Sequence, residues 1–215
     1  MRASLAKRLG IFAACAMLVG TVWFMRDDLR LFSGDGQQQA KPLKLVLPFS
    51  AVDKQGTTID HTKFDGQWLL LHFSHAACGQ ACQPTQRLLN QLDARLDWSL
   101  RRKLQPLVVT VNPLVDTPER LNDWEAALEL KQRLWVSPTQ ALTGSAAQIN
   151  NLARSTGAAS DDVCGTDGSS REALAANGSL YVITPDRRLA ALLPGAMGTN
   201  AAAAYLTELM TSNGV

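Results

Sequence analysis

The stretch that most constrains how this chain folds is residues 67–85, "QWLLLHFSHAACGQACQPT". A continuous apolar run such as 67–73 is what a strand buried on both faces shows. From residue 84 to 96, Leu88, Leu89, Leu92 and Leu96 recur at helical spacing, so a helix with one apolar face follows the strand. Cys78 and Cys82 therefore fall between the end of a buried strand and the start of a helix. Backbone N–H groups and the helix dipole at such an end stabilise a thiolate and lower its pKa from about 8.5. Two cysteines separated by three residues there leave three readings open: a structural disulfide, a redox pair, or two ligands for a soft metal.

The rest of the chain repeats the alternation. "LVLPFSAVDKQGTTID" (45–60) reads as two short strands joined at "DKQG", where Gly56 supplies a positive φ. "PLVVTVNP" (106–113) is a β-branched run and reads as a second central strand. In "DTPERLNDWEAALEL" (116–130) Asp116 or Thr117 caps a helix, Pro118 sits in its first turn, and Glu119 lies three residues after Asp116. A further helix is expected over 145–155, ended by Gly157, and a last one over 200–210. "SLYVIT" and "RLAALL", joined by "PDRR", read as two late strands. Strands alternating with helices and then a closing hairpin indicate an α/β domain with a mixed sheet. A length of 215 residues with 46% hydrophobic content fits one such domain with a sizeable core.

The N-terminus carries a different signal. Arg2, Lys7 and Arg8 precede an uncharged run over 9–25, "LGIFAACAMLVGTVWFM", near the lower limit for a membrane-spanning helix. No small-residue cleavage site closes it, which favours an uncleaved anchor over a signal peptide. The expected organisation is a cytoplasmic 1–8, an anchor over 9–25 that contains Cys15, a polar linker over 26–42 and a folded domain over 43–215. The basic flank stays in the cytoplasm, which in a bacterium puts the domain on the periplasmic side of the inner membrane. A net charge of +2, with no Lys/Arg cluster interleaved with aromatics, argues against a nucleic-acid partner.

Three segments together resemble the thioredoxin-like Sco/SenC family, which helps assemble the copper centre of cytochrome c oxidase. They are "FDGQWLLLHFSHAACGQACQPT", "VNPLVDTPERL" and "GSLYVITPDRRL", in the family's order over roughly residues 47–193. The resemblance implies a thioredoxin-like fold, copper(I) as the metal, and an oxidase subunit or another copper or redox assembly protein as partner. It places Cys78 and Cys82 as the reactive and metal-binding pair. The chain departs from the pattern where the family has a third ligand: the copper-binding histidine would fall near Ala176, and no histidine follows His75. Asn112 stands where an acidic residue is usual, and Gly79 and Gln83 replace the prolines after each cysteine. The third ligand is thus unknown, with His75, Cys164 and Met197 as candidate substitutes.

Without that histidine, dithiol chemistry gains weight. In thiol–disulfide exchange Cys78 is expected to attack and Cys82 to resolve, which makes the chain a candidate thiol–disulfide oxidoreductase. The rival expectation is a non-catalytic, membrane-anchored scaffold that keeps the fold and binds an oxidase subunit. A thiol-peroxide reductase is a third, for which the surroundings of Cys78 offer no threonine and arginine constellation. Among other residues, His72 reads as a satisfied core or edge residue and His61 as solvated. Asp116 reads as a helix cap rather than a support of the site, and Cys164 as a free thiol in a loop. Trp98, Trp124 and Trp135 are expected to pack the core.

Overall fold

The computed structural model describes residues 43–44, 48–129, 138–159, 162–164 and 168–213. Contacts divide the chain into Met1–Gln39 and Ala40–Val215, and the architecture below is that of the second unit. The expected anchor over 9–25, the linker over 26–42, and Trp135 lie outside the described residues. Among the described residues no helix is long and apolar enough to cross a membrane.

Eight strands are described. β1 (Leu43–Lys44), β4 (Trp68–Ser74), β5 (Leu104–Thr110), β6 (Gln140–Leu142), β7 (Ser179–Ile183) and β8 (Arg188–Pro194) form one sheet in the order β1-β8-β7-β4-β5-β6. β2 (Ser50–Val52) and β3 (Thr58–Asp60) pair separately as a hairpin, turned at Gly56 with φ +76°. The six-stranded sheet is mixed because its halves are connected differently. β4 runs parallel to β5, with a helical crossover between them, whereas β7 and β8 are joined by a short turn and pair antiparallel.

All seven residues of β4 are buried, which is why its sequence shows no polar alternation. Successive side chains point to opposite faces. Leu69, Leu71 and Phe73 enter one core cluster, together with Cys78 and Cys82. Trp68 and Leu70 enter a second cluster on the other face, with Leu88, Leu89 and Leu92. Each such leucine contributes about 1.5–3 kcal/mol by leaving water, so both faces hold the central strand in register.

The helices are α1 (Gln83–Leu92), α2 (Trp98–Arg101), α3 (Pro118–Glu129), α4 (Ala146–Ser155), α5 (Ser169–Asn177) and α6 (Thr199–Ser212). α1 begins with Pro84 in its first turn and passes into a 3-10 turn over Asp93–Arg95. α4 opens with a capping box in which the Ser145 hydroxyl accepts the Gln148 N–H and the Gln148 side chain accepts the Ser145 N–H. α5 stops at Gly178, φ +64°.

Two expectations about side chains fail here. Trp98 is 59% exposed, with the Arg101 guanidinium 6.0 Å from its ring centroid. Leu96 and Leu100 supply the inward contacts of that segment and leave Trp98 facing water. His61 is half-buried rather than solvated, its ring 6.1 Å from that of Phe49. Trp124, in contrast, packs in the core as expected.

Candidate functional site

The chain leaves β4 at Ser74 and enters the loop that carries the cysteines. Ala76, Ala77, Gly79 and Gln80 are exposed, and Cys78 between them is only 9% exposed. A 3-10 turn over Gln80–Cys82 then leads directly into α1, with Cys82 at the N-cap position. Cys78 and Cys82 are joined by a disulfide, their Cα atoms 5.8 Å apart, within the range such a bond requires. Cys78 is thus more enclosed than a loop-end residue read from sequence, because the Cys78 N–H donates to the His75 carbonyl at 3.0 Å and turns the loop inward.

Cys82 is fully buried and its sulfur lies 3.4 Å from the Ala175 carbonyl oxygen of α5. When the bond is reduced, the Cys82 thiol has an acceptor there. The helix dipole of α1 favours negative charge at Cys82, so this sulfur is placed to leave as a thiolate when the disulfide is attacked.

The neighbouring side chains decide what else the pair can hold. His75 is buried, its Nε2 3.2 Å from the Glu172 carboxylate of α5, and among the described residues its buried Nδ1 has no partner. Ala176 is exposed, and its neighbour Ala175 brings a backbone carbonyl to Cys82. A carbonyl oxygen is a hard donor and a poor third ligand for copper(I). Among the described residues no group of three His, Cys, Asp or Glu side chains is arranged to hold a metal ion. Reduction of the disulfide leaves two sulfurs, soft donors of the class that copper(I) accepts.

The other candidate ligands separate from the pair. Met197 packs against the cluster on the opposite face of the sheet. Cys164 is a free, partly buried thiol packed against the cluster that contains the cysteine pair. Burial, and then the Asp162 carboxylate, push its pKa up to about 11, against the opposing pull of Arg171. A thiol held protonated in this way is a weak nucleophile. His72 is a core residue, its Nδ1 3.3 Å from the Ser179 carbonyl, and burial pushes its pKa down to about 4.

Asp116 does not cap α3. The carbonyl of Thr117 accepts the Leu121 N–H, the first bond of that helix, so Thr117 holds the N-cap position. The Asp116 side chain turns the other way, into the protein, where it is 1% exposed. Its Oδ2 accepts the Ala76 N–H of the cysteine loop at 3.1 Å and the Thr110 hydroxyl at 2.5 Å. A capping sequence and an inward tether look alike in "DTPE", and only the path of the loop tells them apart.

The profile of SCO1/SenC matches residues 37–211. The chain belongs to the SCO1/SenC family. Among its relatives is a protein of Stutzerimonas stutzeri named, provisionally, as copper-binding, 25% identical over 149 residues, 69% of either chain. The mitochondrial SCO2 homolog of Bos taurus is 30% identical over 157 residues, 70% of this chain and 56% of the bovine protein. In fold, this SCO1/SenC member is similar to Arabidopsis thaliana ScoI with copper bound, TM-score 0.60, 15% identity, over 78% of this chain and 99% of that one. It is similar also to BsSco, described as a cytochrome c oxidase assembly protein with a disulfide switch, TM-score 0.57, 20% identity, over 81% and 99%. At these identities the structural likeness establishes a thioredoxin-like Sco fold, with its mixed sheet and flanking helices.

Proposed function

We propose that this chain acts in cytochrome oxidase assembly by thiol–disulfide exchange through Cys78 and Cys82. The observation that carries the reading is the bonded pair itself, with Cys82 sealed at the N-terminus of α1 and its sulfur 3.4 Å from the Ala175 carbonyl oxygen. A thiolate on a partner protein attacks the Cys78 sulfur, and a mixed disulfide forms as the Cys78–Cys82 bond breaks. The electron pair goes to the Cys82 sulfur, which is protonated and donates to the Ala175 carbonyl. A second thiolate of the partner then attacks the mixed disulfide, so the partner leaves oxidised and the pair remains as a dithiol. In the reverse direction the Cys78 thiolate attacks a partner disulfide and Cys82 resolves it.

Copper(I) handling by the same two thiolates is the second reading. It draws on the relatives described as copper-bound or copper-binding, and two sulfurs without a third donor suit a cargo held briefly. In both readings the partner is an oxidase subunit or another assembly protein that carries a cysteine pair. The domain is held at the bacterial inner membrane by residues 9–25 and faces the periplasm, where disulfides persist.

The test is genetic. In a deletion strain, full-length protein with Cys78→Ser and Cys82→Ser is expected to leave oxidase activity at the level of the empty strain while accumulating normally. Full rescue by that double variant would establish the non-catalytic scaffold instead.

A further inference from the structure

The cysteine loop is short of packing where it leaves the sheet. Ala76 and Ala77 are exposed, and a pocket of about 360 Å³ opens beside them, lined also by Val115, Arg120 and Trp124. Side chains as small as these fix a loop poorly, so its position rests on hydrogen bonds. One is local, from the Cys78 N–H to the His75 carbonyl. Two come from outside the loop: the Glu172 carboxylate lies 3.2 Å from the His75 Nε2, and the Asp116 carboxylate accepts the Ala76 N–H, the nearer of the two to Cys78 in sequence.

Asp116 is well placed for that role. Its own N–H donates to the Asn112 carbonyl at 2.9 Å, and its Oδ2 accepts from the Thr110 hydroxyl. Thr110 ends β5, the strand paired in register with Ser74 at the end of β4, and its hydroxyl also accepts the Asn112 N–H at 2.9 Å. The remaining contact of Oδ2 is the Ala76 N–H, two residues before Cys78. A carboxylate buried at the end of β5 thus holds the loop at the end of β4.

We propose that Asp116 is a positioning residue that sets the dithiol–disulfide balance of Cys78 and Cys82. The proposal rests on the exchange reading above and deepens it. The tether keeps the loop where the two Cα atoms stand at disulfide distance, which raises the effective concentration of one thiol at the other. Without it the reduced loop samples wider arrangements and the disulfide is less favoured. A hydrogen bond to a charged group is strong enough to shift such an equilibrium by about tenfold, equivalent to about 30 mV for this two-electron couple.

The experiment equilibrates the full-length chain in detergent with glutathione buffers at fixed pH. Two glutathione thiols reduce the Cys78–Cys82 disulfide to the dithiol and leave as glutathione disulfide, so protons and electrons balance. The reduced fraction is read by alkylation and mass measurement. Asp116→Ala is expected to shift the equilibrium about tenfold toward the dithiol. Thr110→Val, which frees the carboxylate from β5, is expected to shift it in the same direction by less, and Thr110→Ser to restore it. Asp116→Asn keeps one oxygen acceptor and separates the tether from its charge.

Melting temperatures are measured alongside. Equilibria within twofold of the wild type in Asp116→Ala and Thr110→Val, with lowered melting temperatures, would make Asp116 merely structural and overturn the proposal. Should Asp116→Ala fail to fold, Thr110→Val and its serine rescue decide in the same way. If the wild-type disulfide never equilibrates with glutathione, the exchange reading itself fails and the proposal falls with it, an outcome distinct from unshifted variants.

Discussion

At the residue scale, the neighbourhood of the cysteine pair shows how burial assigns roles to side chains of the same type. His75 and His72 lie three residues apart, yet one is paired with a carboxylate and the other is locked in the core. Among the described residues His72 has the Ser179 carbonyl as its partner, and its Nε2 has none. Its pKa of about 4 in the folded chain, against about 6.5 when unfolded, fixes the sign of a pH effect. Between these values the unfolded chain binds a proton that the folded one does not. Stability from this site is full above pH 6.5 and falls as the pH drops from 6.5 to 4, by about 3 kcal/mol in all. Urea unfolding at a series of pH values tests this. His72→Leu is expected to flatten the dependence across that window by about that amount, and parallel curves for the two proteins would contradict the assignment.

At the scale of elements, α1, α5 and the end of β8 meet at one point beside the cysteines. The Thr85 hydroxyl of α1 donates to the Gly178 carbonyl at 2.6 Å, at the end of α5. Gly195, just after β8, lies against both: a Cβ there would overlap the Thr85 hydroxyl and the Gly178 carbonyl oxygen. Gly195→Ala is expected to cost about 1–3 kcal/mol as an overpacked site, read as a lowered urea midpoint. An unchanged midpoint would mean that the three elements are not held this closely.

The same elements show what the sequence makes legible. β4, β5 and α1 were readable because each carries its own signal, a continuous apolar run or leucines at helical spacing. The hairpin of β2 and β3 and the strands of "SLYVIT" and "RLAALL" were readable from their turns. α5 was not. Its sequence "SSREALAAN" presents only Leu174 and Ala175 to the core, too few for a period to appear, so the sequence offers no sign of a helix there. The Ala175 carbonyl at Cys82 was invisible for that reason, since backbone atoms leave no mark in composition. The role of Asp116 is not visible in sequence because it depends on Ala76, forty residues away, and Trp98 faces water because Leu96 and Leu100 already fill the inward positions of its segment.

For the whole molecule, a mixed sheet with two core faces supports a loop that exposes little of the sulfur it carries. Cys82 is fully buried beneath α5, whereas Cys78 keeps 9% exposure and is the more reachable of the two. That asymmetry is what exchange chemistry needs: one sulfur to meet the outside and one to wait. The most direct measurement treats the reduced full-length variants Cys82→Ser and Cys78→Ser with glutathione disulfide and locates the adduct by peptide mass mapping. The account predicts rapid glutathione addition at Cys78 when Cys82 is serine, and addition at Cys82 at least about tenfold slower when Cys78 is serine, in keeping with its burial. Equal rates at the two positions, or no adduct at Cys78, would contradict it.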